Sequence, residues 1–434
     1  MRRILILLFT LGMFSCGTKE NREEAKKSGS FSGIFEYGNF SDKIKFEIEQ
    51  DTTGFRVYFT SLEQNANRIP FRGLEVLGDS INFHLQSDFY TYSFKNEWTD
   101  TYNELRGSLT IDTLSVPYVL RREEHNENRY PSSEDVSFES AGLKLNGTIW
   151  HPSNAKDRAI MILTSSGNAD RSASRAEAIL FAEKGFTTFH YDKRGTGNSE
   201  GNWQSASMES LISDDIQAIK YFSSKTGIPL KATGIMGSSQ GATKVPYVLK
   251  ELQELGYGIA VSCPGVTLLE SDLNSWKNRN SEALQEDLDT ASELQRKIFE
   301  FVAGKMTKAD LEKEIELEKS AKWFEYLWIP DLEETQTDTK LHYTPIPYFE
   351  TTKQPILIIQ GSKDEIIPES SNVQIADALR KAGNENFDTV NLQGASHSMY
   401  YTGESDFPYW SKLHPDYFKT IEGWINTVSK KVYE

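Results

Sequence analysis

The residue with the clearest capacity for chemistry is a serine flanked by glycines, in Gly237-Ser238-Ser239-Gln240-Gly241. A short apolar run precedes this segment, and helical spacing follows it. When a strand turns into a helix within about one residue, the backbones crowd, and glycines remove the clashing Cβ atoms. Ser239 is therefore predicted to be a nucleophile, with the Gln240 N–H at a helix N-terminus as an oxyanion donor. Because the same glycine spacing also occurs in ordinary loops, the interpretation depends on partners elsewhere in the chain.

A serine nucleophile needs a general base, and the base needs a group that orients it. Asp364 follows a continuous apolar run that predicts a buried strand, so its carboxylate lies at a strand end; Glu365 is the alternative acid. Of the seven histidines, His397 alone meets both the chain order and the context, since it lies in the loop that directly follows the last predicted strand. Ser239, Asp364 and His397 are therefore the predicted catalytic triad.

Short apolar runs alternate with helical segments from residue 135 onward, which predicts a mostly parallel sheet flanked by helices. An opening hairpin is predicted within 136–150. The predicted strands that follow are 159–164, 186–191, 232–236, 257–261, 355–360 and 387–392.

Two polar loops precede the serine. One runs from Ser166-Gly167 to Asp170-Arg171, and the other is Asp192-Lys193-Arg194-Gly195-Thr196-Gly197-Asn198-Ser199. Together with Gly-x-Ser-x-Gly, residues 135–434 resemble the α/β-hydrolase superfamily, and in particular bacterial serine esterases and serine peptidase-like hydrolases.

This resemblance implies an α/β-hydrolase fold, acyl transfer without a cofactor, and a second oxyanion donor at the backbone N–H of Asn168. Many relatives have His-Gly where this chain has Ser166-Gly167, but a main-chain donor tolerates that change. Asp192 and Arg194 are expected to build a turn with a structural salt bridge rather than to act chemically.

A charged helical insertion, about 266–350, separates the predicted strands 257–261 and 355–360, and helical spacing is found in 284–303 and 309–318. In this fold such an insertion is expected to form a lid over the serine. Its aromatic residues either line a substrate pocket or pack a small core of the lid itself.

The N-terminal part of the chain shows alternation instead of helical period. Residues 31–128 contain strands separated by turn sequences, which predict a small antiparallel all-β domain, either a barrel or a sandwich. No catalytic constellation is found in it. A charged linker leads to the hydrolase domain, residues 134–434.

The first residues predict export. Residues 1–16 have a basic start and an apolar run too short to span a bilayer, and they resemble a bacterial lipoprotein signal in which Cys16 is lipidated. The alternative is an ordinary secretory signal. Residues 17–30 are polar and predict a flexible tether. The expected location is therefore the bacterial cell envelope, with membrane attachment through the lipid anchor, either in the periplasm or at the cell surface.

Charge and composition exclude some classes of function. The net charge of −16 argues against a nucleic-acid partner. No spacing of histidines or cysteines predicts a metal site, and no cofactor is expected. The favoured hypothesis is hydrolysis of small-molecule or carbohydrate-linked esters. A serine peptidase and a non-catalytic binding protein with a hydrolase fold are the alternatives, and the oligomeric state is open.

Overall fold

The computed structural model describes residues 26–87, 90–124, 131–154 and 157–433. Cys16 and the signal segment lie outside the described residues. The chain forms two compact units, and the second takes in most of the described residues beyond 130. Among the described residues, no helix is both long and apolar enough to cross a membrane.

The first unit is an antiparallel β-sheet in the order β4-β3-β2-β1-β9-β8-β7-β6-β5. Its strands are β1 Gly29–Tyr37, β2 Phe40–Asp51, β3 Gly54–Ser61, β4 Ala66–Pro70, β5 Arg72–Leu77, β6 Ser80–Gln86, β7 Thr91–Trp98, β8 Glu104–Ile111 and β9 Leu114–Arg122.

Aromatic packing shows that this sheet curls on itself. Phe71, which alone separates the two edge strands β4 and β5, donates its N–H to Val57 O at 2.9 Å. The ring of Phe46 in β2 lies 5.4 Å from that of Phe83 in β6 and 5.5 Å from that of Phe94 in β7. Strands that are far apart in the sheet order thus pack around one core. Of the two predicted alternatives, a barrel and a sandwich, the domain is therefore a barrel.

The second unit is a mixed sheet in the order β10-β11-β13-β12-β14-β15-β16-β17, antiparallel up to β13 and parallel beyond it. The strands are β10 Ser132–Ser140, β11 Leu143–His151, β12 Ala159–Ile162, β13 Thr187–Tyr191, β14 Thr233–Ser238, β15 Tyr257–Val261, β16 Ile356–Gly361 and β17 Phe387–Leu392. The helices are α1 Arg175–Glu183, α2 Met208–Thr226, α3 Gln240–Glu251, α4 Leu268–Leu284, α5 Leu288–Val302, α6 Lys308–Glu318, α7 Ile346–Phe349, α8 Ser371–Lys381 and α9 Tyr417–Tyr433.

The parallel strands other than the edge strand β17 are buried because helices cover both faces of the sheet. Along β12, Ile160 packs in a cluster with Phe181 of α1 and Ile421 of α9. The next residue, Met161, packs in the opposite cluster with Val245 of α3. The continuous apolar runs of the sequence are therefore two-sided strands, as predicted.

The strand order places a crevice at one position of the sheet. From β12 the chain moves to β13 on one side and then to β14 on the other, so the order reverses at β12. Ligands bind at such switch points, outside the carboxyl ends of parallel strands. The loop after β12 and the turn after β14 both begin at this edge.

The insertion between β15 and β16 is helical, but its first helix is not among those predicted. Helix α4 begins after Thr267, whose side chain accepts the Glu270 N–H. The helix expected at 284–303 begins instead at Leu288, after a break at Gln285, where φ is 45°. Polar residues dominate α4, so its apolar face did not stand out.

The aromatic residues of the insertion divide between core and surface. Trp323, Tyr343 and Phe349 are buried in the main core of the unit. In contrast, Trp328 is 50% exposed. The buried aromatic residues therefore pack into the main core of the unit and not into a separate core of the insertion.

Candidate active site

The turn that carries Ser239 is strained and closely packed. Ser239 lies between β14 and α3 with φ 55° and ψ −123°, a conformation that L-residues rarely adopt. A Cβ at Gly237 would lie 2.3 Å from the carbonyl oxygen of Gly241. A Cβ at Gly241 would lie 2.9 Å from the carbonyl oxygen of Thr164. Both glycines of the motif are therefore required by backbone contacts.

The predicted acid and base are in contact. His397 Nδ1 lies 3.0 Å from each carboxylate oxygen of Asp364. The Asp364 side chain is 0% exposed and that of His397 is 16% exposed. The N–H groups of Ile366 and Ile367 also donate to Asp364 Oδ1, so the carboxylate is held from two directions. With Nδ1–H bonded to the carboxylate, Nε2 is the nitrogen that can accept a proton.

The competing acid, Glu365, is exposed, and its backbone carbonyl accepts a bond from the Asn278 side chain. The contact with His397 is made by Asp364. Of the two acids considered from sequence, Asp364 thus has the geometry of an orienting group.

Ser262 links the nucleophile turn to the histidine loop, a role that the sequence did not indicate. The Ser239 N–H donates to Val261 O at 2.9 Å, and the next residue, Ser262, donates its Oγ to His397 O at 2.7 Å. Ser262 is fully buried and has φ 49°. The only sequence signal was a polar residue at the end of a buried strand.

Of the two predicted oxyanion donors, Gln240 is the first residue of α3, where its N–H has no partner within the helix. Asn168 lies in an exposed part of the loop after β12. The Ser165 Oγ donates to Ser238 O at 2.8 Å and so ties this loop to the residue before the nucleophile.

Lys193 fixes the orientation of the same loop. Its Nζ donates to Ser165 O at 2.7 Å and to Gly167 O at 2.5 Å. The C=O of Gly167 and the N–H of Asn168 belong to one planar trans peptide and point in opposite directions. Holding the carbonyl therefore fixes the direction of the predicted donor. Lys193 is 2% exposed, and burial, helped by nearby Lys244, lowers its pKa to about 8.

The residues on either side of Lys193 are ion-paired. Arg171 donates to Asp192 Oδ2 at 2.7 Å through its guanidinium and to Oδ1 at 2.9 Å through its backbone N–H. Arg194 contacts both carboxylate oxygens of Asp214, at 2.6 and 2.7 Å. The structural role expected for Asp192 and Arg194 agrees with these contacts.

A buried ion pair lies beneath the two loops. Lys244 Nζ, in α3, is 2.5 Å from Asp215 Oδ2, in α2, and both side chains are 0% exposed. Tyr191 donates its hydroxyl to Asp215, and Lys244 donates to Thr164 Oγ1 at 2.8 Å. Burial raises the pKa of Asp215, and Lys244 opposes that shift. The pair joins the helix after the nucleophile to the strand end before the oxyanion loop.

His190 is buried, as its position within a strand suggested. Its Nε2 accepts from Trp150 Nε1 at 3.1 Å, so Nδ1 carries the proton that faces Ser174 Oγ at 3.0 Å. Burial lowers its pKa to about 3. A neutral imidazole with its lone pair already bonded cannot act as a base for Ser174.

Comparison with known proteins identifies the family. Residues 155–404, more than half of the chain, match the family described as serine aminopeptidase, S33. The chain belongs to this family. It is an α/β hydrolase, which confirms the fold and the superfamily resemblance predicted from the sequence.

Solved structures similar to this chain include an esterase from Pyrococcus furiosus (15% identity, 70% of this chain and 94% of that chain, TM-score 0.44). Another is a proline iminopeptidase from Mycobacterium smegmatis (17%, 69% and 98%, TM-score 0.42). A third is Est1E from Butyrivibrio proteoclasticus with bound ferulic acid (13%, 69% and 100%, TM-score 0.43). None of the curated proteins compared with the chain matches it significantly.

Gly237→Ala is expected to lower the free energy of unfolding by at least about 2 kcal/mol, because the added methyl meets the Gly241 backbone, which cannot rotate away. Chemical denaturation measures the change. Gly423→Ala is the matched control: a Cβ there meets nothing within 4 Å, and alanine in a helix favours stability by about 0.5–1 kcal/mol. Equal stability of the two variants would contradict the close packing of the turn.

Lys244→Met is expected to destabilise the protein by about 3–5 kcal/mol, because it leaves the Asp215 carboxylate buried without its counter-ion. The double variant Lys244→Met/Asp215→Asn should regain much of that loss, since it removes both charges. Urea denaturation of the three proteins tests this. A double variant with the summed cost of two independent substitutions would show that the pair is not coupled.

Proposed function

We propose that this α/β hydrolase cleaves carboxylic esters through an acyl-enzyme on Ser239. The observation that carries the proposal is the contact of His397 with the fully buried Asp364, at 3.0 Å to both carboxylate oxygens. The strained turn that contains Ser239 lies at the same carboxyl edge of the parallel sheet. An oriented imidazole and a half-buried serine in a strained turn, whose loops are joined through Ser262, support nucleophilic catalysis.

In the proposed reaction, Ser239 Oγ attacks the ester carbonyl and forms a C–O bond while His397 Nε2 takes the hydroxyl proton. Asp364 stabilises the imidazolium. The N–H groups of Gln240 and Asn168 donate to the oxyanion. Collapse of the intermediate breaks the bond to the alcohol, which leaves with the proton from His397. Water, deprotonated by His397, then releases the acid and restores Ser239.

A serine peptidase is the second candidate, because the family is described as serine aminopeptidases. The two reactions share every step except the leaving group: an amine must be protonated before it departs, whereas an alcohol is a better leaving group. The ordered Asp364–His397 pair disfavours the third hypothesis, a non-catalytic binding protein, since a pure binding module has no use for an oriented base.

Small-molecule and carbohydrate-linked esters are the proposed substrates. Lipidation of Cys16, membrane attachment and a location in the cell envelope stay predictions, since Cys16 lies outside the described residues. The absence of a nucleic-acid partner likewise rests on the charge of the sequence.

Ser239→Ala is expected to lower turnover of p-nitrophenyl esters by about 10⁴- to 10⁶-fold, because the nucleophile is lost. The measurement is the initial rate of hydrolysis of p-nitrophenyl esters from acetate to palmitate, beside aminoacyl p-nitroanilides. The ester chain length that is cleaved fastest indicates the size of the acyl pocket. Ser224→Ala, an exposed serine on α2, is the control.

If the protein cleaves the anilides in a Ser239-dependent manner and does not hydrolyse the esters, the assignment changes to a serine peptidase. A fluorophosphonate probe that labels wild type and Ser239→Ala equally would contradict a catalytic role for Ser239.

Lys193→Met is expected to lower kcat by about 10²- to 10³-fold with little change in KM, because the Gly167 peptide loses the contact that directs the Asn168 N–H. The affinity for a trifluoromethyl ketone, which mimics the tetrahedral intermediate, should fall in parallel. Lys220→Met, an exposed lysine on α2, is the control. Weaker substrate binding with unchanged kcat would show that Lys193 does not act through the oxyanion.

A further inference from the structure

Helix α4, the first helix of the insertion, makes two different kinds of contact within the second unit. Its apolar side chains, among them Leu273 and Trp276, are buried in the main core. The side chains of Asn274 and Asn278 instead donate hydrogen bonds to the loop that follows β16. This loop carries Asp364, the proposed orienting acid. The apolar contacts therefore fix the helix in place, and its polar side chains reach the active-site loop.

Each of the two asparagines holds the carbonyl of one peptide group. Asn278 Nδ2 donates to Glu365 O at 2.7 Å, and Asn274 Nδ2 donates to Ile366 O at 3.0 Å. The hydroxyl of Ser271, three residues before Asn274, lies 3.5 Å from Ile366 O. Residues spaced three and four apart share one face of a helix. One face of α4 is thus directed at two consecutive carbonyls of the loop.

The N–H groups of the same two peptides hold the Asp364 carboxylate. The peptide that begins with the Glu365 carbonyl ends with the Ile366 N–H, which donates to Asp364 Oδ1 at 2.9 Å. The next peptide ends with the Ile367 N–H, which donates to the same oxygen at 3.0 Å. Because the C=O and N–H of a planar trans peptide point in opposite directions, a bond to each carbonyl fixes the direction of each donor. Hydrogen bonds in such a chain also polarise one another, so each N–H becomes a stronger donor.

The oxygen held in this way also contacts the proposed base. Asp364 Oδ1 lies 3.0 Å from His397 Nδ1. A carboxylate whose donors are turned away can rotate about its own side-chain bond, and the imidazole then loses the partner that sets its direction. Catalysis needs that direction, because Nε2 must face the hydroxyl of Ser239.

We propose that Asn274 and Asn278 are positioning residues, which orient Asp364 through the two peptides that link residues 365, 366 and 367. The inference rests on the proposed function, because Asp364 has a catalytic role only if Ser239 is the nucleophile. A helix that only covered the serine would need no donor at these carbonyls, since water satisfies a carbonyl at the surface. The insertion thereby contributes to the geometry of the triad as well as to the core.

The double variant Asn274→Leu/Asn278→Leu removes both donors and keeps side chains that branch at Cγ. It is expected to lower kcat for p-nitrophenyl acetate by about 10- to 10²-fold with little change in KM, because a misplaced Asp364 affects the transition state and not substrate binding. Initial-rate kinetics measure both constants. Asn280→Leu is the matched control and should keep the wild-type kcat, because the Asn280 amide bonds to Trp276 O of its own helix, at 2.8 Å.

The contact between His397 and Asp364 provides a second readout, which does not need turnover. A proton on His397 Nδ1 that is hydrogen-bonded to a carboxylate gives a low-field proton NMR resonance, and its loss in His397→Ala assigns it. This resonance should shift and broaden in the double variant and stay unchanged in Asn280→Leu. A purely structural role of the asparagines would lower the melting temperature and leave both the resonance and kcat unchanged, which would overturn the proposal.

The single variant Asn278→Leu carries the test if the double variant does not fold, because Asn278 is exposed and its replacement leaves the core intact. Its kcat is expected to fall by about 3- to 10-fold, as for the loss of one hydrogen bond. Asn278→Gln keeps an amide donor and should regain most of that loss. A higher KM with unchanged kcat would also overturn the proposal, since it would place the role of α4 in substrate binding.

The two proposals can fail separately. If the resonance of His397 moves in the asparagine variants but wild type shows no Ser239-dependent hydrolysis of esters, the ester-hydrolase proposal is wrong while the positioning of Asp364 by α4 stands. If esters are hydrolysed in a Ser239-dependent manner and the asparagine variants keep the wild-type kcat and resonance, the positioning role is wrong and the hydrolase proposal stands.

Discussion

The geometry of the candidate site depends on one close approach of backbone to backbone. The position a Cβ would take at Gly237 is only 2.3 Å from the Gly241 carbonyl oxygen, and at Gly241 it is 2.9 Å from the Thr164 carbonyl oxygen. Strand β14, helix α3 and the end of β12 can pack this tightly only because both residues lack a side chain. Ser239 is left at the apex with a positive φ. The strain at this position is maintained by the packed elements on either side.

Buried charges provide the second level of support. The ion pair of Lys244 with Asp215 connects α3, α2 and the strand end at Thr164, while Lys193 holds the carbonyls of the loop that follows. Buried polar groups are expensive when unpaired, so a network whose members are paired admits few alternative arrangements. The loop proposed to bind the oxyanion is therefore positioned by cations beneath it, and its own sequence is exposed and polar.

Glu177 differs from these groups because the chain supplies no cation for it among the described residues. The same helix, α1, contributes buried apolar residues to the core, whereas Glu177 is half-buried. The buried aromatic residues of the insertion, such as Trp323, complete the main core of the second unit.

Local patterns in the sequence predicted much of the fold and the candidate site residues. Continuous apolar runs predicted the parallel strands, alternation predicted the antiparallel β domain, and glycine spacing with strand-end polar residues predicted Ser239, Asp364 and His397. These features follow from neighbouring residues in the chain. In the structure Asp364 contacts His397, and the roles of the three residues stay predictions. Helix α4 and the contacts of Lys193 and Ser262 were decided only by the tertiary structure. Both side chains make contacts across a large sequence separation, Lys193 with Gly167 and Ser262 with His397, and no local spacing records which distant backbone group a side chain will meet.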